Sequence, residues 1–210
     1  MSAETVSVVE GDGAVARKAL ERTIAAGGVA LFPADGLYGL ACDPLNGAAI
    51  ARIHEIKGRD DGKPSAVMYF SPLAMRELLG SLGERTRDAI GTLLPGPVTA
   101  VVANPEHRYP LACRADRERL GLRLLDGPLA GAMCPIFQTS ANRSGEPAPA
   151  AFDEVDPAIL AAVDLAIDGG RLTGAPSTVV DLTGFEAGEW VLLREGGMAR
   201  AELERHLNSS

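Results

Sequence analysis

The sequence lacks the signatures through which most proteins hold a nucleotide, a metal or an acyl group. There is no GxxxxGK[ST] phosphate loop, no strand-linked GxGxxG, no kinase motif set and no GxSxG. P-loop, dinucleotide-fold, kinase and serine-hydrolase chemistries are therefore unsupported. Cysteine is scarce: Cys42, Cys113 and Cys134 lie far apart with no CxxC spacing, which disfavours a zinc site and a disulfide framework. His54, His107 and His206 are not at metal-ligand spacing either, so no metal centre built from side chains is expected. Positive charge is in deficit, with 20 Lys and Arg against 28 Asp and Glu and a net charge of -8. That balance argues against a protein whose main task is gripping a polyanion, although local basic clusters remain open. No apolar run approaches membrane-spanning length. The opening MSAETVSVVEGDG has neither a basic region before an apolar core nor a cleavage-like site, and a cytoplasmic protein is expected.

What is present suits a folded enzyme-sized body. The chain has 210 residues, 46% of them apolar, enough for a core without disulfides, and residues 1–210 are expected to form one domain. Its 24 glycines and 14 prolines are spread along the length and read as turns between many short elements. Apolar, β-branched runs predict strands at Val6–Val9, Val29–Phe32, Ala66–Phe70, Val98–Val102, Leu120–Leu124, Ile136–Thr139, Leu165–Ile167, Thr178–Leu182 and Trp190–Leu193. Helices are predicted over Ala14–Ala26 after a cap at Asp12, Ala48–Ile56 after Asn46, from Ser71-Pro72 onward, and over Glu84–Leu93, Pro157–Ala162 and Ala199–Leu207. Strands interspersed with helices from end to end give an α/β (α+β) protein, a mixed sheet flanked by helices.

Four loops carry groups suited to anions. KGRDDGKP sets Lys57, Arg59 and Lys63 within a glycine-containing turn after a helix; a phosphate cradle and a solvated basic helix end both fit that spacing. QTSANRSGEP crowds Thr139, Ser140, Asn142, Arg143 and Ser144 at a strand end, which suits nucleotide or carboxylate binding and equally an ordinary turn. IDGGRLTGAPSTVVD places Ser177 before a strand, and VLLREGG places Arg194 at the end of one, as an anion ligand or an edge residue.

In order, the blocks GGVALFPADGLYGLACDP, IARIHEIKGRDDGKP, LLPGPVTAVV, LGLRL, QTSANRSGEPAP, IDGGRLTGAPSTVVDLT and VLLREGGM resemble the YrdC/Sua5 family from about Ala14 to Met198. The family's KxR pair is matched by Lys57 and Arg59, its SxN pair by Ser140 and Asn142. The resemblance implies a YrdC-like open twisted mixed sheet with a concave, positively lined cavity for ATP, L-threonine and bicarbonate. It implies a nucleotidyltransferase that makes L-threonylcarbamoyl-AMP and releases pyrophosphate, for threonylcarbamoyladenosine modification of tRNA. By the same resemblance Lys57 and Arg59 are the catalytic residues and neutralise the triphosphate. Ser140, Asn142, Pro149 and Arg194 contact the nucleotide or intermediate; Ala34, Arg123, Ser140 and Ser177 face the amino acid. Mg²⁺ is expected to arrive with ATP, and no protein-held metal is implied. A downstream tRNA threonylcarbamoyl transferase is an implied partner, with direct tRNA or double-stranded RNA binding as a weaker one. The alternatives are a paralogue adenylating another carbamate or carbamoyl donor, and a double-stranded RNA-binding module.

The chain departs from the family pattern in two places. Where relatives commonly read FPTET it has Phe32-Pro33-Ala34-Asp35-Gly36, and after KGR it has Asp60 and later Pro64-Ser65. Ala34 and Gly36 are expected to remove polar contacts and add space beside the amino acid. Because Lys57 and Arg59 fall in a polar loop, truncating either is expected to lower turnover by orders of magnitude and leave the fold intact. The sequence ends soon after the LREG block, the expectation being the short form without an added C-terminal domain.

Overall fold

The computed structural model describes residues 3–9, 11, 13–58 and 62–208. Its elements run in chain order: β1 Glu4–Ser7, α1 Gly13–Ala25, β2 Ala30–Pro33, β3 Tyr38–Cys42, α2 Gly47–Ile56, β4 Ala66–Tyr69, α3 Pro72–Gly80 and α4 Glu84–Leu93. They continue with β5 Val98–Ala103, α5 Pro110–Cys113, β6 Arg119–Leu124, β7 Ile136–Ser140, α6 Pro157–Ala162, β8 Leu165–Asp168, β9 Thr178–Asp181, β10 Val191–Arg194 and α7 Arg200–Leu207. The expected mixed sheet flanked by helices is present, as one sheet ordered β1-β8-β2-β3-β7-β4-β6-β5-β9-β10. Four of its neighbouring pairs are parallel (β1/β8, β2/β8, β4/β6, β5/β9) and the other five antiparallel.

Local chemistry sets the helix starts as the sequence indicates. Asn46 Oδ1 accepts the Ala49 N–H at 3.1 Å, and Ser71 Oγ accepts the Leu73 N–H at 3.2 Å with Pro72 following, each satisfying an amide that the helix leaves unpaired. The expected cap at Asp12 lies outside the described residues. Two elements escape the pattern reading. β3 is one, its Gly39 and Ala41 interrupting any β-branched run; the other is α5, four residues entered from Tyr109 at φ +51°.

The two faces of the sheet are covered unequally, and that inequality makes the site. On one face Leu40, Val67, Leu122, Ala100 and Val180 are buried with Ile53 of α2, Leu78 of α3, Ile90 of α4 and Leu203 of α7. On the other, α1 lays Ala16, Ala19, Leu20 and Ile24 against Ala30, Phe32, Leu165 and Ile167. It touches β1, β8 and β2. Beyond that end of the sheet no helix of the described residues covers this face, and a cavity of about 460 Å³ opens over β7, β4, β6, β5 and β9.

Candidate functional site

Strand β6 shows how sequence becomes site. In RLGLRL, Leu120, Leu122 and Leu124 point into the core, while Arg119, Gly121 and Arg123 line the cavity, as the period-2 pleat requires. Gly121, with no side chain, keeps the floor open between two arginines whose Cα atoms are set ~13 Å apart along the strand. The neighbouring strands add Thr99 and Val101, Gln138 and Ser140, and Val179, with Ser177 just before β9.

Arg123 is the most buried of these charges, its side chain 7% exposed. Nη2 donates to Asp35 Oδ2 at 3.1 Å and Nη1 to the Ala34 carbonyl at 3.4 Å, while Nε has no hydrogen-bond partner among the described residues. Burial pulls its pKa below the ordinary arginine value; Asp35 opposes that and Arg194 adds to it. Arginine's ordinary value stands so far above neutrality that the group remains a cation. Arg119 is held by Asp181 and lies 3.6 Å from Asp116, and its buried Nε is likewise unpartnered.

At the rim, Arg194 donates through Nη2 to the Ser177 carbonyl at 2.8 Å and to Ser177 Oγ at 3.2 Å. Ser177 Oγ shares a 2.8 Å hydrogen bond with Thr99 Oγ1. Tyr38 donates its hydroxyl to the Gly170 carbonyl at 2.8 Å and accepts the Gly169 N–H at 2.9 Å; burial pushes its pKa up to about 12, so it acts as a neutral wall residue. The cavity of an acidic protein is thus lined by three arginines, Arg119, Arg123 and Arg194, against one carboxylate, Asp116. Such a surface takes anions.

Of the residues expected from sequence, Ala34, Arg123, Ser140, Ser177 and Arg194 line this cavity. Arg59 lies outside the described residues. Lys57 and Asn142 stand behind the wall: the Lys57 ammonium donates to the main-chain carbonyls of Ser140 and Asn142, the latter at 3.0 Å, and Ser140 Oγ donates to Asn142 Oδ1. Lys57 therefore shapes the SxN turn, and it is part of the fold rather than of a polar loop separable from it. Pro149 is buried with its carbonyl accepting the Tyr38 N–H at 2.9 Å, and does not line the cavity.

The space expected at Gly36 is occupied. A Cβ there would lie 1.9 Å from the Ala175 carbonyl oxygen, and Gly174 N–H donates to the Gly36 carbonyl at 2.9 Å; the missing side chain permits a close approach of two backbone segments. Arg119 and Thr99 were not among the expected residues. The alternation of Arg119, Gly121 and Arg123 with three leucines would have placed Arg119 beside Arg123. Among the described residues no group of three or more His, Cys, Asp or Glu is placed to hold a metal, and Asp116 is close to Arg119. The lining does not fit a protein-held Mg²⁺, which takes its ligands from carboxylates or phosphates. No helix of the described residues is long and apolar enough to cross a membrane.

Comparison with known proteins agrees with this architecture. The Sua5/YciO/YrdC family model, described as "Telomere recombination", matches residues 22–196. A threonylcarbamoyl-AMP synthase of Xanthomonas axonopodis pv. citri is 32% identical over 180 residues, 81% of this chain and 95% of that protein. A putative threonylcarbamoyl-AMP synthase of Methanocaldococcus jannaschii is 28% identical, over 89% of this chain and 88% of its own. The structure of P. abyssi Sua5 complexed with L-threonine superposes with a TM-score of 0.83 at 27% identity, covering 98% of this chain; this chain spans 61% of that one. E. coli YciO, at 24% identity and a TM-score of 0.78 over 94% of this chain and 97% of its own, shares the fold. With the family model matching most of its length, the chain belongs to the Sua5/YciO/YrdC family.

Proposed function

We propose that this chain is an L-threonylcarbamoyl-AMP synthase, an enzyme that joins L-threonine, bicarbonate and ATP with release of pyrophosphate. The observation that carries the reading is the cavity itself: three arginines and a set of hydroxyl groups in an otherwise acidic chain, matched to relatives named for that product.

The chemistry asks for alignment of anions more than for a nucleophile. The threonine amine adds to bicarbonate with loss of water, giving a carbamate; a carbamate oxygen then attacks the α-phosphorus of ATP, and pyrophosphate leaves. The threonine carboxylate, the carbamate and the triphosphate are all anionic, so the barrier falls when cations hold them at reacting distance and spread the charge that develops on the phosphate oxygens. On this reading Arg123 takes the amino-acid carboxylate, and the hydroxyls of Ser177 and Thr99 line the same cavity. On the same reading Arg194 and Arg119, which line the cavity, take phosphate oxygens, and the Ser140 turn, braced by Lys57, meets the nucleotide. Mg²⁺ would be part of the substrate, as Mg-ATP, and would supply charge shielding for the leaving pyrophosphate. On this reading the enzyme works in the cytoplasm and its adenylate passes to a tRNA threonylcarbamoyl transferase.

The reading is tested by pyrophosphate release from Mg-ATP and bicarbonate with L-threonine, with other amino acids and amines, and with carbamoyl phosphate. L-threonine is expected to give the highest kcat/KM. A higher value for another amine or for carbamoyl phosphate would assign the cavity to a different carbamate.

A further inference from the structure

The loop joining β2 to β3 is four residues long, 34–37, and closes on itself through the Ala34 N–H donating to the Leu37 carbonyl at 2.9 Å. Within it Asp35 stands at φ +80°, a left-handed conformation disfavoured for residues with a Cβ and best tolerated, after glycine, by Asn and Asp. Gly36 fixes the loop from the other side, since its backbone packs directly on the Ala175 carbonyl. The loop therefore has little freedom, and its two acceptors, the Asp35 carboxylate and the Ala34 carbonyl, both fall on the terminal nitrogens of Arg123.

Two of arginine's five N–H groups are engaged in this way, and among the described residues Asp35 is the acidic group in ion-pair contact with Arg123. A guanidinium so buried needs a counter-charge, and it needs one that does not use up the donors facing the substrate. An outlying backbone conformation at a cavity wall, with no role in the core, points to function at that wall.

We infer that Asp35 is a positioning residue: it compensates the Arg123 charge from the loop side and holds the guanidinium turned so that its remaining donors meet the carboxylate of the amino-acid substrate. Asp35 acts through Arg123 and touches no reacting atom. The inference rests on the reading of the cavity as an amino-acid site, and it makes Asp35 a determinant of affinity for a carboxylate, with no part in nucleotide binding.

The test compares wild type with Asp35→Asn, which keeps the left-handed tolerance and an acceptor oxygen while removing the charge. Binding of L-threonine, of L-threonine amide and of ATP is measured calorimetrically, each alone. Asp35→Asn is expected to weaken L-threonine about tenfold, the order for one lost charge-assisted contact, and to leave L-threonine amide and ATP within about twofold. Asp35→Glu, which restores the charge on a longer arm, is expected to recover part of the loss and serves as the second variant if Asp35→Asn does not fold. L-threonine affinity unchanged in Asp35→Asn, or an equal loss for all three ligands, overturns the positioning role. The measurement needs no turnover: a wild type that binds threonine through this pair yet releases no pyrophosphate refutes the synthase reading and leaves the inference standing.

Discussion

The Lys57 ammonium donates to the main-chain carbonyl of Asn142 at 3.0 Å, tying the residue that caps the end of α2 to the turn that follows β7. A second bond runs from the same group to the Ser140 carbonyl, and the Ser144 N–H returns to the Lys57 carbonyl at 3.0 Å. Lys57→Met is therefore expected to cost stability as well as turnover: about 1.5–3 kcal/mol, the worth of hydrogen bonds from a charged group, with kcat lowered by an order of magnitude or more. Urea denaturation alongside pyrophosphate kinetics checks both.

Arg194 is the opposite case. Its side chain is exposed and, among the described residues, bonds to Ser177 at the rim, so Arg194→Ala is expected to change stability by less than about 0.5 kcal/mol while lowering kcat/KM for ATP roughly tenfold or more, as loss of a charge-assisted phosphate contact does. The kinetic constants for ATP and threonine, measured separately, decide whether the loss is confined to the nucleotide.

Gly36→Ala places a methyl carbon against the Ala175 carbonyl. Overpacking of that kind costs about 1–3 kcal/mol, and because the strain falls on the loop that holds Arg123, threonine affinity is expected to fall with it. Thermal unfolding and threonine titration read the two effects.

The acid limb of stability follows from carboxylates held below their ordinary range. Hydrogen bonds from the Thr86 hydroxyl and amide lower Glu186, which caps the start of α4 from a distant part of the chain. For Asp164 burial pushes upward, but the bonds from Arg52 and from the Val29 N–H outweigh it and the net shift is down. A carboxylate whose pKa is lower folded than unfolded stabilises the protein above the unfolded value, about 4, and that contribution disappears as pH falls through the folded value. Tm is expected to be level from pH 7 to about 5 and to drop below about 4, with Glu186→Gln flattening the drop. A Tm scan from pH 3 to 7 on both proteins checks it.

The fold was legible wherever a strand carried β-branched or leucine runs, as in Val98–Val102 and Leu120–Leu124. It was not legible at β3, whose sequence YGLAC looks weak as a strand because its stability comes from burial on both sides between β2 and β7. The same holds for the site. Ser140, Ser177, Arg123 and Arg194 were found through their blocks, and the cavity brings them together. What single-residue reading missed was pairing across the chain: that Asp35 answers Arg123, that Lys57 serves the SxN turn, and that Gly36 is filled by Ala175 rather than open. Each of these depends on backbone segments 85 to 139 residues apart meeting at one wall, which local pattern does not encode.

The most direct measurement is to incubate the protein with Mg-ATP, L-threonine and ¹³C-bicarbonate and to follow the products by mass spectrometry. A threonine-dependent adenylate with the mass of threonylcarbamoyl-AMP, carrying the ¹³C label and formed with an equal amount of pyrophosphate, is the expected result. ATP consumption that does not depend on threonine, or an adenylate without the label, would contradict the account.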